Sequence, residues 1–394
     1  MFEREFPASI SEQKIRDAIF SLSLVPSVKY IESSKSVATC TLSDDSGSTV
    51  AEGAGKGQYC QLGALAESIE HYALEHYSSH GLVTRRINEV RGQASIKLDG
   101  ILANLPDSDA PIDCVELKDI SNGSLTTVPA VMQLPDRSLV EKNTSRTETA
   151  YLSRYSTNSG IAFGCSKNEA ILHGLNEVLE RHMLSKILMS LCGQHDSILL
   201  RSVDPTVMNE VFPEGSRFLA LAISMKILIT ETVQGVYFAM AIPKQPDGRY
   251  IVCPLGSGCS VDPRIAIERA TTELHQTMAL YDEDEKATDH SAFALKSYSS
   301  ALRPLINLEV LRNIELSCKR LEPPRRLSVH EQVEFILEKV AATGFRAFKG
   351  TLLNFENGCV VAQVYVPGLE RFNLIRAGIP VVPQHLLHAN KCYP

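Results

Sequence analysis

The sequence has no C-x-x-C pair, no tryptophan and no basic tail, and it carries a net charge of −7. The missing cysteine pairs remove the tetrathiolate zinc pattern. Without clustered lysine and arginine there is no electrostatic footprint for nucleic acid. No apolar run reaches the ~18 residues that a membrane span needs. The opening residues, MFEREFPASISEQKIRD, are charged and polar, unlike a secretory signal peptide. The absence of tryptophan decides nothing. Two phosphate-binding loops are missing as well. In GAGKG (residues 53–57) Val50 stands where a P-loop needs its first glycine and Gly57 follows Lys56, while Gln58 breaks G-x-G-x-x-G. The ten cysteines are scattered, which reads as reduced, mostly buried thiols of a cytoplasmic protein.

What is present is ordinary globular composition: 394 residues, 44% hydrophobic and 22% charged. EQKIRDAIFSLS reads as a short helix, and VKYIES and VATCTLSD as strands. GAGKG reads as a glycine-rich turn before a helix at about 60–77, and a second long helix is expected at about 167–192. Residues 217–254 alternate as strands, with KQPDGR as their hairpin turn. A helix at about 263–281 would be capped by Asp262 with Pro263 in its first turn. YDEDEKATD then reads as a solvated loop, 328–343 as a helix and 345–366 as closing strands. The fold class expected is α/β with largely antiparallel sheets flanked by helices.

Three helices carry acids at matching places: Glu67-x-x-Glu70, Glu177-x-x-Glu180 and Glu273-x-x-Gln276, each following a glycine-containing turn. On the second helix Glu169, His173, Glu177 and Glu180 share one face, bordered by Asn176 and Arg181. On the first helix, the face opposite Leu62, Leu65, Ile69 and Tyr72 holds Gly63, Ala66, Glu67, Glu70, Ala73 and Leu74, as though packed closely against something. On the third, Arg269, Glu273 and Gln276 align. Like charges so placed repel, and more strongly when buried, so a buried cluster needs cations. Carboxylates from several helices suit Mg2+, and Arg181 and Arg269 suit phosphate oxygens. The pattern therefore points to a metal–nucleotide site. A di-iron bundle is disfavoured, because it would want Glu-x-x-His pairs. His71, His173, His182 and His275 read as structural, and no local signature supports Cys60 or Cys165 as a nucleophile.

GAGKGQYCQLGALAESIEHY, NSGIAFGCSKNEAILHGLNEVLERH and GSGCSVDPRIAIERATTELHQ resemble, in order, the three core motifs of the YcaO family, and VYVPGLERF resembles a later segment of it. The resemblance covers about residues 25–385 of a single YcaO-type domain spanning 1–394, with 386–394 as a C-terminal tail. It implies an ATP site that is not a P-loop and ATP- and Mg2+-dependent activation of peptide backbone amides. Glu67, Glu70, Glu177, Glu180 and Glu273 would be Mg2+ ligands. Glu169 and Gln276 would help bind the nucleotide, and Arg181 and Arg269 would meet phosphates and act in catalysis. The chain ends NKCYP, and its final Tyr393-Pro394 resembles the tails of azoline-forming members, whose terminal carboxylate reaches the site; Pro394 is counted as catalytic on that resemblance, although the usual proline-rich run is missing. The implied activity is cyclodehydration of Cys, Ser or Thr to azolines in a ribosomally made precursor peptide. Thioamide formation and a non-catalytic accessory role in ribosomal-protein methylthiolation are the alternatives. The chain has no room for a fused peptide-clamp domain, so a separate leader-peptide-binding or TfuA-like partner is expected, and a homodimer by family analogy.

Overall fold

The structure is a computed structural model and describes residues 3–31, 35–77 and 81–389. Strands β1 (Val25–Tyr30), β2 (Val37–Ser43) and β3 (Thr49–Lys56) make an antiparallel sheet in that order. In β2 Ala38, Cys40 and Leu42 are buried at alternate positions, as the period of a strand dictates. A second sheet runs β4 (Val83–Arg86), β5 (Pro111–Asp119), β13 (Phe348–Asn354), β14 (Val360–Tyr365), β7 (Ile161–Gly164), with β6 (Leu125–Pro129) also paired to β5. A third runs β11 (Gly256–Ser260), β10 (Val236–Pro243), β9 (Met225–Val233), β8 (Arg201–Val203), β12 (Ser317–Cys318). All these pairings are antiparallel except β8 with β12. The α/β class with largely antiparallel sheets is thus what the chain adopts.

Three helices build the site: α2 (Cys60–Tyr77), α3 (Lys167–Leu191) and α4 (Pro263–Ala279). Helix α1 (Ala8–Ser21) precedes β1 and packs on α2. Each site helix follows a strand and lies back on it: α2 on β3, α3 on β7, α4 on β11. The glycines of the quoted motifs explain how. A Cβ on Gly55 would sit 1.8 Å from the Cys60 carbonyl oxygen, and one on Gly53 2.3 Å from the Ser68 nitrogen. The same holds at Gly256, where a Cβ would lie 2.2 Å from the Leu274 nitrogen. These residues permit backbone-to-backbone contact of strand and helix. GAGKG is therefore mostly strand rather than the expected turn, and only Gly57, at φ +80°, turns the chain. Ser166 accepts from the Glu169 N–H to start α3, and Asp262 accepts from Arg264 N–H to start α4 with Pro263 at its first position, as expected.

Helix α3 is buried on most sides. Its first half packs Leu172, Leu175 and Leu179 with Val333, Ile336 and Val340 of the helix Val329–Ala342. Its second half, from Met183 to Met189, and the following Cys192 join the main core with α1 and α2. A third cluster sets Ala266, Ile267, Ala270 and Leu274 of α4 against Ile227, Ile229, Ala239 and Ala241 of β9 and β10.

Two local expectations are corrected. Arg217–Ser224 is helical rather than strand, and a second turn at Gln234-Gly235, with Gly235 at φ +78°, joins β9 to β10; KQPDGR turns as expected, between β10 and its antiparallel neighbour β11. YDEDEKATD is no loop: Glu283–Leu295 is a helix, and Asp282 caps it by accepting from the Asp284 and Glu285 N–H groups. Its acids lie in the first turn, where the positive end of the helix dipole favours them. The described cysteines are free thiols, all but Cys318 buried.

Candidate active site

The acids of helices α2, α3 and α4 come within electrostatic reach of one another: Glu70 of Glu67 and Glu177, and Glu177 of Glu180 and Glu273. Each acid is held by a different donor. Glu67 Oε2 accepts from the Ala54 N–H at 2.9 Å, and Glu70 Oε1 from the Phe163 N–H at 2.6 Å. Glu177 Oε2 accepts from the Gly160 N–H at 3.2 Å, and Glu180 Oε1 from Ser257 Oγ at 2.7 Å. Glu273 Oε2 receives the Lys56 ammonium at 2.6 Å. Arg181 stands among three of them, 3.9 Å from Glu177, 3.5 Å from Glu180 and 3.8 Å from Glu273. Among the described residues, no three His, Cys, Asp or Glu side chains already stand as a cation cage. The helices bring the acids together, and each carboxylate bonds its own donor.

The electrostatics show a site short of positive charge. Burial pushes the Glu70 carboxyl well above its ordinary value, opposed by the Phe163 N–H and reinforced by Glu67 and Glu177. Burial likewise raises Glu177 to about 7, with Arg181 opposing and Glu180 adding to the rise. Glu180 is raised by burial and then by Glu273. Burial also acts to raise Glu273, but Lys56 and Arg181 outweigh it and hold the carboxyl below its ordinary value. Two cations thus answer one acid fully and leave the others strained in their charged forms. An oxygen-only donor set with surplus negative charge fits a hard divalent cation such as Mg2+.

At the far end, Arg269 donates to the Cys259 carbonyl at 3.0 Å and to Glu3 Oε2 at 2.5 Å. Glu169, buried, accepts from Cys165 N–H at 2.9 Å and Glu5 N–H at 2.5 Å. Gln276 lies half-buried on α4, one turn beyond Glu273. Pro394 lies outside the described residues.

The histidines make structural contacts. His71 Nδ1 meets the Glu52 carbonyl, His182 Nδ1 accepts from the Glu370 N–H, and His275 Nε2 meets Ser36 Oγ. Burial draws His173 down to about 3, helped by Arg269 and Arg4. Cys60 Sγ points to the Lys35 carbonyl. Four contributors escaped the sequence reading. Lys56 was weighed only as a P-loop lysine, and its place at the end of β3, facing α4, was the missing signal. Ser257 and Ser260 are the second and fifth residues of GSGCS, the strand before α4. Glu3 carries no signal in the sequence at all.

Against known proteins, residues 54–370 match the family model of YcaO cyclodehydratases, described as ATP- and Mg2+-binding. The chain belongs to the YcaO family. It is 24% identical over 327 residues to an uncharacterized protein of Methanothermobacter thermautotrophicus, covering 82% of each chain. It is 24% identical over 230 residues to an uncharacterized protein in the tfuA 3′ region of Rhizobium leguminosarum bv. trifolii, covering 54% of this chain and 52% of that one. Among solved structures, the YcaO protein of Methanopyrus kandleri bound with AMPPCP and Mg2+ superposes with TM-score 0.60, at 19% identity over 96% of both chains. A heterocyclase in complex with substrate and cofactor superposes with TM-score 0.64 at 18% identity; the alignment covers 93% of this chain and 52% of that one. At these identities the likeness is one of fold. No helix among the described residues is long and apolar enough to cross a membrane.

Proposed function

We propose that the protein is a cytoplasmic enzyme that uses ATP and Mg2+ to activate a backbone amide of a ribosomally made precursor peptide. The carrying observation is the cluster itself, where half-buried Glu70 and Glu177 and buried Glu180 stand together with less cationic charge than they need. Glu67, Glu70, Glu177, Glu180 and Glu273 would hold Mg2+, Arg181 and Arg269 would meet phosphate oxygens, and Glu169 and Gln276 would serve the nucleoside side. Bound Mg2+–ATP supplies a phosphoryl group that turns an amide oxygen, a very poor leaving group, into phosphate once a nucleophile has added to the amide carbon. The chain's own part is positioning and charge. Its Arg181 and Arg269 guanidinium groups are half-buried, where fixed charges act more strongly than in water.

Cyclodehydration of Cys, Ser or Thr to azolines is the reading we favour, with Pro394 at the terminal carboxylate. Thioamide formation is the second reading, and the relative in a tfuA 3′ region supports it. Either activity would use a separate partner, leader-peptide-binding in the first case and TfuA-like in the second, and we place the chain in a homodimer. Phosphate release should depend on added peptide, and mass spectrometry should show loss of one water per modified residue. Exchange of oxygen for sulfur would assign the second reading. Phosphate release indifferent to every peptide and partner tried would overturn both and leave an accessory role.

A further inference from the structure

Residues 3–6 precede α1 and cross in front of α3 and α4. Glu3 is only 5% exposed. Its carboxylate is gripped by three side chains: Arg269 Nη2 at 2.5 Å, Ser260 Oγ at 2.6 Å and Asn176 Nδ2 at 3.3 Å. Two residues on, the Glu5 N–H reaches Glu169 Oε1 at 2.5 Å. The half-buried His173 ring meets the main chain of Glu3 and of Phe163 and so ties the segment to α3 and β7. One short segment therefore engages both Arg269 and Glu169, which the nucleotide reading needs for its ligand.

The chemistry of the grip is informative. One guanidinium, one hydroxyl and one amide N–H converging on an acid is how proteins hold a phosphate oxyanion. A buried acid is costly unless paired, and Glu3 finds its pairing in groups suited to an incoming anion.

We propose that residues 3–6 form a displaceable strap whose Glu3 carboxylate stands in for a nucleotide phosphate, so that ATP must expel it to bind. The proposal rests on the assignment of Arg269 and Glu169 to the nucleotide given above. A self-occupied site binds its ligand with an apparent affinity reduced by the fraction of molecules in which the strap is off. Removing the carboxylate frees Arg269 without touching the acids expected to hold metal.

The test is calorimetric titration of the full chain with a non-hydrolysable ATP analogue and Mg2+, comparing wild type, Glu3→Gln and Glu3→Ala. Both variants should bind more tightly, by about tenfold if the strap is docked nine-tenths of the time. In thermal melts the variants should fall below wild type without nucleotide and coincide with it at saturation, because the strap stabilises only the empty site. Variants that bind at the wild-type affinity or more weakly, or that melt lower by the same amount with and without nucleotide, make Glu3 a fixed structural acid and end the strap. Binding by none of the three proteins removes the nucleotide assignment and the strap together.

Discussion

Glu180 shows what a single residue contributes. It is 7% exposed, accepts from Ser257 Oγ and faces Arg181 and Glu273, and burial raises its carboxyl above the ordinary range. Its charge is thus held for the ligand more than for the fold. Glu180→Gln is expected to keep the wild-type circular dichroism and melting temperature within a few degrees while peptide-dependent phosphate release disappears; normal turnover would remove the metal role. Glu177 sets a pH dependence. Its carboxyl, raised to about 7, holds a proton in the folded protein where the unfolded chain has already lost it. The folded state therefore binds more protons between the ordinary carboxylate value and about 7, and the stability of the empty protein falls as pH rises through that window. A cation needs the charged form, so Mg2+–nucleotide binding near pH 6 should release protons. Calorimetry in buffers of different ionisation enthalpy reads this directly, and a buffer-independent heat would contradict it.

At the scale of elements, the strand–helix pairs β3–α2, β7–α3 and β11–α4 decide where the acids go. Their contact depends on bare backbone. Gly55→Ala would force a Cβ to within 1.8 Å of a carbonyl oxygen and must part β3 from α2. We expect a loss of more than ~3 kcal/mol, at or beyond the upper end of overpacking, seen as a large drop in denaturation midpoint or as insoluble protein. The pairs also explain what the sequence could show. The helices were legible because Asp262-Pro263 and the apolar stripe of Leu62, Leu65 and Ile69 are local signals. The glycines were visible as residues, yet their purpose was hidden, since a turn and a close approach use the same residue. YDEDEKATD failed for a related reason: its acids suit a solvated loop by composition, but Asp282 at the cap makes them the first turn of a helix. KQPDGR does turn, between the antiparallel neighbours β10 and β11, but the sharper turn at Gln234-Gly235 that joins β9 to β10 carries a weaker local signal.

For the whole molecule, the convergence of three helices far apart in sequence was legible only because each bore the same spacing of acids. The partners that hold those acids, Lys56, Ser257 and the Phe163 N–H from strands and the Gly160 N–H from the turn before β7, come from segments that sequence reasoning could not juxtapose. The question at this scale is which product leaves the cleft. Deleting Tyr393 and Pro394 is expected to reduce azoline formation by at least tenfold and to leave a thioamide former near wild type, by mass spectrometry of the treated peptide. If azolines form equally well without the two residues, Pro394 has no catalytic part.

The hydrogen bonds on Glu67, Glu70 and Glu177 also bear on kinetics. Each main-chain amide engages one carboxylate oxygen and leaves the second to an arriving ion. Loading should therefore need no hydrogen bond to break, and its rate should rise in proportion to the metal concentration.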